Sequence, residues 1–238
     1  MTLHNFQNDE RFLASSTEIL NRLGITITTG TDFDEYRDLL AMARPDQVIG
    51  APFDPDRHDL GSENAFWLLG HDGEGKLMHT QAMRVLDTGA RSLGDYMRHG
   101  FRDFPPAVDG LDLERSRYRA GPGAQRMRGC IAYHGEFWIG GSPGQFRGSG
   151  LSSILGRYAF LEAMHRWDPD YVFGFMQRSV AFKGFAERHG YMHSEPGALR
   201  WFLQGKETPI EGFMVYMHRE DLHYILDMPL AELVPMAA

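Results

Sequence analysis

Two sets of residues in this chain of 238 could do chemistry. The first is the run Gln145-Phe146-Arg147-Gly148-Ser149-Gly150-Leu151. It follows an apolar, strand-like stretch, Phe137-Trp138-Ile139-Gly140, and opens an amphipathic helical pattern. Such a turn offers unpaired backbone N–H groups at a helix N-terminus, where the donors and the helix dipole both favour an anion. Gly148 and Gly150 let a phosphate approach the main chain with no Cβ in the way, and Arg147 could add a side-chain contact. The second set is His134 and Glu136. Two residues apart on one predicted strand, they share a face. An ordinary histidine pKa near 6.5 suits proton abstraction at neutral pH. Glu136 would need a raised pKa or a bridging water.

Other candidates point to packing. His189 and His193 stand four apart, as in a helical metal pair, but Gly190 breaks that helix. His218 and His223 lack a third ligand nearby, so no metal is expected. Cys130 reads as a small buried hydrophobe, and Phe146, Phe182 and Phe185 as core residues rather than pocket walls. The arginines Arg115, Arg117, Arg119, Arg126 and Arg128 suit a solvated loop, or a surface for an acidic partner. Arg84 could bind a substrate carboxylate or brace a hairpin.

The elements that position these groups alternate between helix and strand. Residues 9–23 have helical spacing and stop at Gly24; Ile25 to Thr29 alternates as a strand. Thr31 or Asp32 caps a helix to about Arg44, before Pro45. After a polar loop over 45–63, Ala65–Leu69 and Lys76–Leu86 flank a Gly-rich turn as a hairpin. A short helix is expected over 90–104, while 107–128 shows no clear element. Then follow a strand over 129–140, a helix over 151–167, a strand over 171–176 and a helix over 179–189. Strands over 201–204 and 213–218 and a helical turn over 222–226 complete the order. This is an α+β or mixed α/β pattern.

Composition narrows the class. Hydrophobic residues make up 42% and charged residues 24%, so a chain of this length can bury a full core. A net charge of −8 argues against a broad nucleic-acid surface. The single cysteine excludes an intramolecular disulfide framework and fits a reducing, cytoplasmic setting. Met1 to Glu10 is polar, without an apolar signal core, and no run approaches the roughly 18–20 apolar residues of a membrane span.

At 145–150 the pattern Gln-x-x-Gly-x-Gly resembles the acyl-CoA pyrophosphate loop of the GNAT superfamily, the Gcn5-related N-acetyltransferases. The helix, strand and second helix that follow, ending in Glu187-Arg188-His189-Gly190-Tyr191, keep the order of that family. The resemblance implies a twisted mixed sheet flanked by helices over 25–238, with an N-terminal helical extension over 1–24 and an insertion at about 87–128. It implies that Ile139, Gly140 and Gly141 lie near the acyl carbonyl. It implies that Gln145, Phe146, Arg147, Gly148, Ser149 and Gly150 hold the pyrophosphate, and that Ser179 stands where relatives place an asparagine on the cofactor arm. Ala186 occupies the place of the tyrosine that returns a proton to the thiolate in many relatives. Shorter segments, Met83–Thr88 and Leu113–Tyr118, resemble acyl-homoserine-lactone synthases.

The expected activity is acyl transfer from acetyl-CoA or a longer acyl-CoA to a small-molecule amine or amino acid, by direct attack, with His134 or Glu136 as base. A base is required because an alkyl ammonium of pKa near 10 is only about one part in a thousand neutral at pH 7. The alternatives are an acyl-carrier-protein-dependent synthase, with the arginines docking the carrier, and a non-catalytic module that binds CoA. A homodimer is open.

Overall fold

The computed structural model describes residues 6–106 and 108–230. One sheet of eight strands organises the molecule: β1 (Thr26–Gly30), β2 (Ala65–His71), β3 (Leu77–Leu86), β4 (Leu111–Tyr118), β5 (Ile131–Ile139), β6 (Tyr171–Gln177), β7 (His193–Leu203) and β8 (Ile210–His218). Their spatial order is β1-β2-β3-β5-β6-β8-β7-β4. All neighbours are antiparallel except β5 and β6. A parallel pair needs a long crossover, and here it is helix α5 (Leu151–Trp167). The fold is thus a mixed α+β sheet flanked by helices, as the sequence predicts.

The helices form a layer on each face. On one side α1 (Phe6–Arg22), α5 and α8 (Arg219–Asp227) pack over Phe66, Leu68, Ala132, Val172 and Met217. Phe12 and Leu20 of α1 are buried there, so the N-terminal helix is part of the core. Helix α5 is buried on almost every side rather than amphipathic as expected, because its largely apolar sequence packs between the sheet and the neighbouring helices. On the other side lie α2 (Phe33–Ala43), α3 (Leu93–Gly100) and α4 (Pro122–Arg126), over Trp67, Tyr133, Phe173 and Trp201. Asp32 caps α2, its carboxylate accepting from the N–H groups of Asp34 and Glu35 at 3.0 Å.

Three expectations need correction. The helix predicted over 179–189 is two short pieces, α6 (Arg178–Ala181) and α7 (Phe185–His189), separated by Gly184 at φ 68°. The late strands begin earlier than their apolar runs, at His193 and Ile210. The unplaced 107–128 segment supplies β4, an edge strand on β7, and α4. Its charges obscured the strand, because an edge strand tolerates Arg and Glu on exposed positions.

Candidate functional site

Strands β5 and β6 share only three paired positions, Ile131–Tyr171 to Tyr133–Phe173. Beyond these, β5 continues to Ile139 beside β3 and β6 continues to Gln177 beside β8. The two therefore diverge in the middle of the sheet. A cavity of about 480 Å³ opens there, lined by Gly135–Trp138 of β5 and Gly174–Gln177 of β6, with Arg44, Phe53 and Tyr133 on the α2 side.

A β-bulge decides what β5 presents to this cavity. Ala82 pairs with Gly135 but Thr80 pairs with Trp138, so Glu136 and Phe137 both stand opposite Gln81. Glu136 takes the extra place, at φ 56°, an uncommon conformation for a residue with a Cβ. One inserted residue reverses the alternation. His134 and Phe137 face the α5 layer, while Glu136 and Trp138 face the α2 layer. The expected common face of His134 and Glu136 is therefore lost, because the period-two rule holds only for an unbulged strand.

Glu136 Oε1 accepts the Gly50 N–H at 3.0 Å. A Cβ at position 50 would collide with that oxygen, so glycine is what lets the loop come this close. Burial pushes the Glu136 carboxyl up to about 7, opposed by the Gly50 hydrogen bond and by the charge of Arg44. This is a carboxyl poised to exchange a proton near neutrality.

His134 has a different environment. The Gln81 amide donates from Nε2 to Leu155 O at 2.8 Å, which leaves its Oε1 as the acceptor for His134 Nε2 at 3.0 Å. His134 thus carries its proton on Nε2 and accepts at Nδ1 from the Tyr191 hydroxyl, 3.0 Å away. Burial, with a contribution from His79, lowers its pKa to about 3. His134 lines the same cavity as Glu136, but both of its ring nitrogens already have hydrogen-bond partners.

The glycine loop forms a second cavity of about 780 Å³, lined by Ile139, Gly140, Gly141, Gln145, Phe146, Arg147, Gly148 and Gly150 and floored by Leu151–Ser153. Gly148 and Gly150 have φ of 76° and 73°, and Gly150 is the N-cap of α5. Glycine is required there by conformation as well as by access. Gln145 braces the loop, accepting the Ser142 N–H at 2.9 Å. Among the described residues, the N–H groups of Phe146, Gly148 and Gly150 have no acceptor, and the Arg147 side chain makes no hydrogen bond. Ser149 turns inward, its hydroxyl donating to Phe146 O at 2.8 Å. The Gly140 N–H is also taken, by Met78 O at 2.8 Å. Strand alternation then turns the Ile139 N–H away from β3, toward the divergence. Phe185 lines both cavities, so they are neighbours.

Several sequence candidates lie elsewhere. Ser179 is exposed and lines a shallow cleft with Phe182 and Glu211, apart from the loop. Phe182 is 69% exposed rather than core, and Phe185 is a wall of both cavities. Arg84 braces the fold, donating to Pro52 O at 2.7 Å. Ala186 is buried in α7. Sequence spacing did not reveal that His193, His218 and Asp221 meet, with ligand atoms within 4.8 Å of one another. Asp221 there caps α8 through the His218 N–H and holds His193 Nε2 at 2.8 Å. The residues that sequence reasoning missed at the main cavity are Arg44, Gly50 and Trp138. The only signal was the helix end at Pro45 that fixes Arg44.

No family model matches this chain, and no curated protein does. Several solved N-acetyltransferases are similar to it in structure. One from Staphylococcus aureus Mu50 is 11% identical, with a TM-score of 0.43 over 82% of this chain and 98% of that one. A GNAT-family acetyltransferase from Streptococcus pneumoniae is 15% identical, with a TM-score of 0.42 over 82% and 99%. The aminoglycoside acetyltransferase AAC(6')-Ib, in complex with coenzyme A and kanamycin, is 10% identical, with a TM-score of 0.43 over 84% and 98%. At this distance the similarity concerns the course of the chain, and the chemistry rests on the site's own residues. No helix among the described residues is long and apolar enough to cross a membrane.

Proposed function

We propose that this chain is an N-acyltransferase that moves an acyl group from an acyl-CoA thioester to the amine of a small molecule by direct attack. The observation that carries this reading is the bulge. It sets a carboxyl with a pKa of about 7 beside a gap in the sheet, next to a glycine loop with unpaired N–H groups. The loop suits a diphosphate, held by Phe146, Gly148 and Gly150 N–H groups with Arg147 adding charge. A thioester arm running from there along Ile139 would enter the divergence of β5 and β6.

Glu136 takes a proton from the arriving ammonium, directly or through one water. The freed nitrogen attacks the thioester carbon. The Ile139 N–H donates to the developing oxyanion. Collapse of the adduct forms the amide, breaks the C–S bond and passes the second amine proton to water. The departing thiolate takes a proton from water, since Ala186 offers none. The walls of the cavity hold both reactants together, which itself lowers the barrier.

The test is thermal stabilisation by CoA and by acyl-CoAs, followed by turnover with acyl-CoA and acyl carrier protein in parallel. A ligand at 100 times its Kd raises stability by about 2.7 kcal/mol. Gly148→Glu should abolish the CoA shift. A shift that survives this change overturns the loop assignment. Consumption of the carrier-bound thioester alone would favour the carrier-dependent alternative, and binding without turnover of any amine the non-catalytic one.

A further inference from the structure

Arg44 is a charged group in the main cavity that the reaction above leaves unused. Its backbone is fixed at the C-cap of α2, where its N–H bonds to Leu40 O at 2.7 Å and Pro45 prevents another turn. Its guanidinium lies over the Trp138 ring, 4.3 Å from the centroid. Among the described residues it has no hydrogen bond or ion pair from its side chain, although it is half-buried. Stacking occupies the face of the guanidinium and leaves the N–H donors along its edge unspent. Arg44 and Glu136 line the same cavity on the α2 side and feel each other's charge, yet they form no salt bridge.

A positive and a negative group facing one space, with no contact between them, match a molecule that carries both signs. Its ammonium belongs at Glu136 and its carboxylate at Arg44, where a planar two-pronged contact is available. A purely cationic amine would instead sit beside an uncompensated guanidinium, a like-charge arrangement that costs affinity. Phe53, Tyr133, Phe175 and Met176 give the cavity large apolar walls, interrupted by the polar Gln47, Gln177 and His134.

Building on the N-acyltransferase reading, we propose that the acceptor is an amino acid with an apolar or aromatic side chain. Arg44 holds its carboxylate while Glu136 receives the proton of its α-amine.

The experiment uses the full chain with acetyl-CoA and octanoyl-CoA. The acceptors are phenylalanine, leucine, methionine and tryptophan, each paired with the amine that lacks its carboxylate. The wild type should acylate at least one amino acid with a kcat/KM about 30-fold or more above its decarboxylated partner, the size of a charged hydrogen-bond pair. Arg44→Gln should collapse that ratio, mainly by raising KM for the amino acid. Arg44→Lys should restore part of it. CoA stabilisation of the variants should match the wild type, which shows that they fold and keep the donor site. Equal use of acid and amine by the wild type, or a ratio unchanged in Arg44→Gln, overturns the proposal and leaves acyl transfer standing. CoA binding with no amino acid acylated also overturns it. Absence of CoA binding removes the underlying reading, and this inference with it.

Discussion

The Glu136 carboxyl has lost water without gaining a cation in contact. Gly50 supplies one hydrogen bond and Arg44 only a longer-range charge, so desolvation wins and the proton stays on to about pH 7. Acyl transfer should therefore rise with pH through an inflection near 7, where the base becomes available. Glu136→Gln should lower kcat by about 100-fold or more, read in a thioester-consumption assay. The same shift has a stability consequence of definite sign. Between pH 4.5 and about 7 the folded protein retains a proton that the unfolded chain has released, so stability falls as pH rises across that window. Glu136→Gln should therefore raise the urea midpoint at pH 8 and leave it unchanged at pH 4.5. The shift from 4.5 to about 7 corresponds to about 3 kcal/mol at most. His134→Asn should reduce stability, since Gln81 and Tyr191 lose a shared partner, but should leave the pH inflection of acyl transfer in place.

Two local irregularities in otherwise regular elements make the site. The first is the bulge in β5, which re-aims Glu136. It was not legible in the sequence, because an added residue in an apolar strand keeps the same composition and only shifts the alternation. The second is the glycine turn into α5, and it was legible. Four glycines in 141–150 (Gly141, Gly144, Gly148, Gly150) all have positive φ, which side chains disfavour. Gly150→Ala should cost about 1–2 kcal/mol from the left-handed conformation alone and weaken CoA binding as the N-terminus of α5 shifts. Chemical denaturation and CoA thermal shift measure the two effects separately. The bounds of α5 and the β2–β3 hairpin were also readable, from apolar spacing and a Gly-rich turn. Strand β4 was not, since its pairing partner β7 lies about 80 residues away in sequence.

On the scale of the whole molecule, three histidines lie in one buried region under α5. His79 and His134 have pKa values lowered to about 3, and burial holds His189 well below the usual range. None has a carboxylate against it among its hydrogen bonds. Each stays neutral in the fold but takes a proton when unfolded below about pH 6.5. The stability they contribute is complete above that pH and is lost as pH falls toward 3. The urea midpoint should drop between pH 7.5 and pH 5, and the drop should be shallower in His79→Gln. A slope that is unchanged in this variant would show that His79 is not buried neutral in solution.

By itself the sequence determined the mixed α+β order and the glycine turn at the head of α5, and it singled out His134 and Glu136 as candidates. Those signals are local: periodicity, glycine conformation and side-chain chemistry act within a few residues. The different surroundings of those two groups, the gap between β5 and β6 and the placing of Arg44 and Glu136 in one cavity came only with tertiary structure. Each depends on register and burial, which arise when segments distant in the chain exclude water together.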